Sequence, residues 1–270
     1  MEFTQEDADR LAGELKDAPS DIEKWYKLGT GYLFLRQFSN AEIAFKQCLK
    51  LDKNYPLALG GLGSVYVLKG KTNSAIKNLK KCLETEPGNS EYWSRLGLAY
   101  LQARKDGDAI EAFRHSLAIN PDNYDAMISL AIAYNNQEAW ENALEVLRQA
   151  DTMFPKDYEI HKGMARTLMK LGRTKELEET YRIMRELDPE DHTVLMYLGQ
   201  IALRKGKTKE GLDYYRQAVE MNPESFMAWK VLTEALEKLG MKDEAKEAHE
   251  KYKEIEGRLR KSGTRIVGKI

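Results

Sequence analysis

The 270-residue chain holds only two cysteines, Cys48 and Cys82, so it has no disulfide framework, and a reducing cytoplasm is the expected compartment. Seven prolines and 19 glycines are too few for a loop-rich all-β fold. No apolar run reaches the roughly 18 residues of a spanning helix, so no transmembrane segment is expected. MEFTQEDADR at the N-terminus lacks a basic stretch followed by an apolar run, so no secretory leader is read there. A net charge of −1 gives no global attraction to nucleic acid, and none is expected as a partner.

Chemistry is equally sparse. The four histidines, His115, His161, His192 and His249, fall in no metal-ligand spacing, and His161 and His249 read as packing residues. Cys48 and Cys82 read as small buried hydrophobes. No phosphate-loop motif is present, because GGLGS at Gly60–Ser64 lies inside a predicted helix. No catalytic residue, metal or cofactor is therefore expected, and the chain is not read as an enzyme.

What the chain does have is a period. Pro87, Pro121, Pro155, Pro189 and Pro223 stand 34 residues apart, the mark of a stacked repeat array. Seven units begin at residues 22, 56, 90, 124, 158, 192 and 226 and run without insertion to 259. Positions 4, 7, 8 and 11 of the unit, as in Trp93, Leu96, Gly97 and Tyr100, form one stripe of an α-helix. Positions 20, 24 and 27, as in Ala109, Phe113 and Ser116, form a second stripe, and the proline ends that helix. Small residues at positions 8 and 20 let the two helices approach, while large ones at 4, 11 and 24 fill the flanks. Such a pair cannot bury its own face alone and must stack on copies of itself.

WSRLGLAY…AIEAF…P, from Trp93 to Pro121, resembles the tetratricopeptide repeat, and the resemblance extends over all seven units. It implies an all-α, right-handed α-solenoid of seven helix–turn–helix repeats. Repeats five and six depart most, with Leu177 at position 20 and Leu168 and Ala202 for tyrosine at position 11, so altered packing is expected there. The register extended backwards places Ala8, Ala12 and Leu15 on a lone second helix, so residues 1–21 are expected to cap the stack. Residues 260–270 are read as a basic tail.

In this family the first helices line an inner groove, and the resemblance implies which positions face it. In repeats one to four these are Tyr26, Lys27, Thr30, Ser64, Arg95, Leu98, Gln102, Ile128, Ile132 and Asn135, over a floor of Gly60 and Gly61 open to a peptide backbone. In repeats five and six they are Lys162, Arg166, Lys170, Tyr197, Gln200 and Arg204, a basic patch beside apolar surface. The expected partner is a protein or peptide, acidic with apolar anchors. The expected function is a non-catalytic adaptor or assembly scaffold that binds a peptide segment in that groove. The alternative is a self-assembling structural scaffold, a homo-oligomer peripheral on a membrane or organelle surface. It is suggested by opposite end charges: residues 1–23 hold eight acids against Arg10 and Lys16.

Overall fold

The computed structural model describes residues 3–262, and these are all-α. The read tail lies mostly outside them. Helix α1 (Gln5–Asp17) is followed by seven helical pairs. They are α2 (Ile22–Phe34) with α3 (Phe38–Leu51), α4 (Pro56–Leu68) with α5 (Thr72–Leu83), and α6 (Ser90–Gln102) with α7 (Asp106–Ile119). Next come α8 (Tyr124–Asn136) with α9 (Trp140–Met153) and α10 (Tyr158–Leu171) with α11 (Thr174–Leu187). The last are α12 (His192–Arg204) with α13 (Thr208–Met221), and α14 (Phe226–Lys238) with α15 (Lys242–Lys261).

Local chemistry sets each boundary. Most first helices start on a side-chain cap, such as Asp21, Asn89, Asn123, Asp157 and Ser225, which accepts a backbone N–H from the first turn, while α4 starts on Pro56 without one. Between the helices the chain turns through a left-handed residue at position 15 of every repeat: Arg36, Gly70, Arg104, Glu138, Gly172, Gly206 and Gly240. The next N–H then reaches back to the carbonyl of position 11, as from Lys71 to Tyr66 at 2.8 Å. This satisfies an orphan carbonyl at the helix end. Proline and tryptophan, the two sequence landmarks, meet directly: the Trp93 indole N–H donates to the Pro87 carbonyl at 2.8 Å.

The chain divides into two compact units, Met1–Met153 and Phe154–Ile270. In the first, the first helices touch in succession, α2 to α4 to α6 to α8, and so form an inner row. The second helices α3, α5, α7 and α9 pack on that row without meeting one another this way. Phe45, Leu79, Phe113 and Leu147, all at position 24, are fully buried in this layer. Helix α1 packs Ala8, Leu11 and Leu15 against Leu28 and Trp25. In the second unit α12 touches α14, whereas the α10 and α12 backbones stand apart. The separation falls where Leu168, Leu177 and Ala202 break the pattern.

Two readings of single residues are corrected. His161 is buried, but His249 is exposed, since no further repeat among the described residues packs on position 24 of the seventh. Gly60 and Gly61 are buried rather than open: a Cβ on Gly60 would stand 2.3 Å from the Tyr92 ring, and one on Gly61 2.5 Å from the Phe45 ring. These glycines admit neighbouring aromatic rings, not a ligand.

Candidate functional site

In the first unit most groove residues are engaged with the protein itself. Tyr26 packs against Phe45 and meets Tyr55 edge-on at 6.1 Å. Burial pushes the pKa of both the Tyr26 and Tyr92 phenols up. Thr30 donates to the Lys27 carbonyl, Ser64 to that of Gly60, and Gln102 to that of Val67 at 3.1 Å. Arg95 pairs with Glu91 at 2.7 Å along its own helix. Leu98 packs on the core, Ile128 and Asn135 are half-buried, and Lys27 and Ile132 are exposed. The inner row is a filled surface, with tyrosine rings where the glycine floor was expected.

The second unit differs. Lys162, Arg166 and Lys170 follow one another at four-residue spacing along α10, so they share one exposed stripe. Lys162 pairs with Glu159 at 3.0 Å. Beside α10 a cavity of about 150 Å³ opens, lined by Met169, Gly172, Thr174, Leu177, Tyr181, Tyr197, Gln200, Ile201 and Arg204. It gathers three of the sequence-read residues, Tyr197, Gln200 and Arg204, in one place.

Two side chains at this joint are unusual for their repeat positions. Position 6 is small in Gly61, Ser129 and Gly163, a flexible cation in Lys27 and Arg95 and valine in Val231, and carries an aromatic ring only in Tyr197. The Tyr197 ring stacks on Tyr181 of the preceding repeat, centroids 4.9 Å apart and planes 4° from parallel. Position 20, alanine or glycine in the other six repeats, is Leu177. Here α12 stands away from α10, with a gap walled by Met169, Leu177 and Ile201. Burial holds the Tyr181 phenol well above its usual pKa, so the walls are neutral.

At the exposed rim Arg204 has no acidic partner among the described residues. A space of this volume matches one that accepts a benzene-sized apolar group, ~150 Å³. A free guanidinium at its edge binds carboxylate in a bidentate fork. Tyr181, Met169, Leu177 and Ile201 escaped the reading by groove positions, because three of them sit where core or turn residues are normal. Tyrosine at position 24 followed by tyrosine at position 6 of the next repeat was the available signal.

Elsewhere the chemistry stays structural. Cys48 and Cys82 are free and buried, and each thiol donates to a carbonyl, of Ile22 and of Pro56. Burial raises their pKa to about 12 and about 11. Among the described residues no group of three or more His, Cys, Asp or Glu side chains could hold a metal ion. None of their helices is long and apolar enough to cross a membrane.

Comparison with known proteins agrees with this architecture. The family model described as cilia and flagella-associated protein 70 C-terminal domain matches residues 56–263, and the tetratricopeptide repeat model matches residues 23–55. Among curated proteins none matches the chain. The solved structure of MamA protein is similar at 23% identity, covering 63% of this chain and 92% of that one, with a TM-score of 0.58. YrrB, described as a tetratricopeptide protein with an unusual peptide-binding site, is 17% identical over 74% of this chain and 99% of its own, TM-score 0.59. Pseudomonas aeruginosa pilF is 15% identical over 80% of this chain and 97% of its own, TM-score 0.62. At these identities the likeness concerns the fold.

Proposed function

The chain belongs to the tetratricopeptide family of the cilia and flagella-associated protein 70 C-terminal domain, and from that premise we propose that it is a non-catalytic adaptor that binds a peptide segment of a partner protein. The observation that carries the reading is the cavity beside the Tyr181–Tyr197 stack with Arg204 unpaired at its rim. One aromatic or branched aliphatic side chain of the peptide fills the cavity. An acidic residue next to it pairs with Arg204, and Arg166 and Lys170 on α10 favour further acids. Apolar burial supplies affinity, and the cations supply orientation and on-rate. The peptide-binding description of YrrB, a protein of like fold, is compatible with this use. Two buried free thiols suit a reducing compartment such as the cytoplasm.

Selection of displayed random peptides on the purified chain tests the reading. Enriched sequences are expected to share an aromatic or aliphatic anchor flanked by acids. Arg204→Glu is expected to weaken a selected peptide about tenfold or more, as loss of a charge-assisted pair implies. Enrichment of no common sequence, or binding indifferent to both Arg204→Glu and Tyr197→Ala, would refute it.

A further inference from the structure

The outer row of the first unit carries a charge pattern that the rest of the array does not. Ile43–Leu83 holds eight lysines and a single acid, Asp52, with no arginine or histidine. Three of the lysines are taken up by one carboxylate: Glu42 pairs with Lys46 and Lys69 at 2.7 Å and with Lys71 at 3.3 Å. The other five, Lys50, Lys53, Lys77, Lys80 and Lys81, are exposed and pair with no acid among the described residues. The outer faces of the two helices that carry them are joined at one end, where Lys81 on α5 reaches across to donate to the Lys53 carbonyl just after α3, at 3.2 Å.

The repeat supplies its own comparison. Position 22, on the outer face of each second helix, is acidic in repeats three to seven: Glu111, Glu145, Glu179, Asp213 and Glu247. Position 25 is arginine in repeats three to six, and in repeats five and six the acid answers it, as Glu179 does Arg182 at 3.9 Å and Asp213 does Arg216 at 3.5 Å. In repeats one and two the acid is replaced by Ile43 and Lys77. The acid–arginine pairing of positions 22 and 25 in repeats three to six is thus replaced by lysine without acid in two adjacent repeats.

Apolar surface accompanies the charge. Ile43, Lys46, Lys50 and Leu51 recur at helical spacing on one stripe of α3, and Ile43 and Leu51 are 56% and 45% exposed. Neither this stripe nor that of Lys77, Lys80 and Lys81 contains arginine or an aromatic residue. It therefore offers no bidentate fork for a specific carboxylate or phosphate and no ring on which bases could stack. Lysines spread over an outward face, with two aliphatic side chains among them, suit a diffuse layer of anionic headgroups above hydrocarbon.

We propose that the outer face of the first two repeats, built from Lys50, Lys53, Lys77, Lys80 and Lys81 with Ile43 and Leu51, docks on an anionic lipid bilayer. The lysines attract the headgroups, and the two aliphatic side chains enter the interface beneath them. The inner row and the cleft in the second unit take no part in this contact.

Co-sedimentation of the full chain with vesicles of phosphatidylserine and phosphatidylcholine, against vesicles of phosphatidylcholine alone, tests the proposal. Binding is expected only to the anionic vesicles and to weaken as salt rises. Lys77→Glu/Lys80→Glu/Lys81→Glu is expected to lose about 100-fold, since each lysine near such a surface contributes roughly fivefold. Lys50→Gln/Lys53→Gln/Lys77→Gln is a milder variant, should the first fail to fold by circular dichroism. Arg182→Gln/Arg216→Gln, which alters partnered cations of the second unit, should bind as the wild type does. Equal binding to neutral vesicles, no binding at low salt, or the same loss in the arginine variant would overturn the proposal. So would lysine-dependent oligomers in sedimentation velocity without vesicle binding, which assign the face to a second copy of the chain.

Discussion

Tyr181 and Tyr197 stack in parallel, 4.9 Å between centroids, at the two register positions that Phe45 and Gly61 occupy in the first unit. Where the pair is phenylalanine and glycine, the ring lies against the next helix, as the 2.5 Å from a Gly61 Cβ to the Phe45 ring measures. Where it is two tyrosines, the next helix stands off and a cavity opens. The same repeat position thus makes a closed joint in one unit and a cleft in the other.

Tyr197→Ala removes one half of that stack without introducing a helix breaker. A stacked aromatic pair contributes about 0.5–1.5 kcal/mol beyond its buried area. A loss of about 1–2 kcal/mol in unfolding free energy is expected by urea denaturation, together with loss of the selected peptide.

Gly61→Ala should destabilise although alanine is the better helix former by about 1 kcal/mol. Phe45 is fully buried, and a Cβ on Gly61 would meet three of its ring carbons at 2.5–2.9 Å. Overpacking of this kind costs about 1–3 kcal/mol, so the net change is expected to be unfavourable by about 1 kcal/mol. A thermal unfolding midpoint raised by the substitution would contradict the packing described.

The left-handed turn at position 15 gives a prediction of opposite sign. Arg36, Arg104 and Glu138 hold φ of 57°, 58° and 59°, a conformation in which a Cβ costs about 1–2 kcal/mol. Replacement of each by glycine relieves that strain and gives back part of it as unfolded-state entropy. Each is expected to stabilise by about 0.5–1 kcal/mol, measured by denaturant midpoint. Gly70→Ala, at φ 67°, should destabilise by about 1 kcal/mol.

Glu42 makes stability depend on acid. Hydrogen bonds from Lys46, then Lys69 and Lys71, hold its pKa down at about 2, against 4.5 for the free side chain. Because the folded value is the lower one, its contribution is fully present above about pH 4.5 and is lost as pH falls towards 2. The shift alone corresponds to about 3 kcal/mol, and solvent access of the lysines reduces this to about 2. Glu42→Gln is therefore expected to be less stable than wild type by about 2 kcal/mol at pH 7, with the gap closing below pH 4.5. A gap constant with pH would deny the carboxylate this role. Glu178, at the same position four repeats on, is held low by Lys205 and Arg182 in a like cluster.

Much of this fold was legible because its determinants are local and repeated. Trp93 and Pro87 announce a helix and its approach turn, and their hydrogen bond closes within seven residues of chain. The groove was legible only as a set of positions. Register says that Gly60 faces inward; it does not say that Tyr92, one repeat later, lies over it. Register likewise placed Tyr197, Gln200 and Arg204 without the cavity they share. The lysine block was readable in a window of about one repeat, but a net charge near zero over the whole chain conceals it.

By itself the sequence determined the helices, their caps and turns, the order in which they stack and the stripe each buries. Those follow from backbone propensity and from apolar spacing that recurs every 34 residues. Only the tertiary structure decided which inner positions are covered, where a gap remains and which charges are left without partners. Those outcomes depend on the combined size and reach of side chains from different repeats. Close packing lets the residues that meet at one joint set how near the next helix stands.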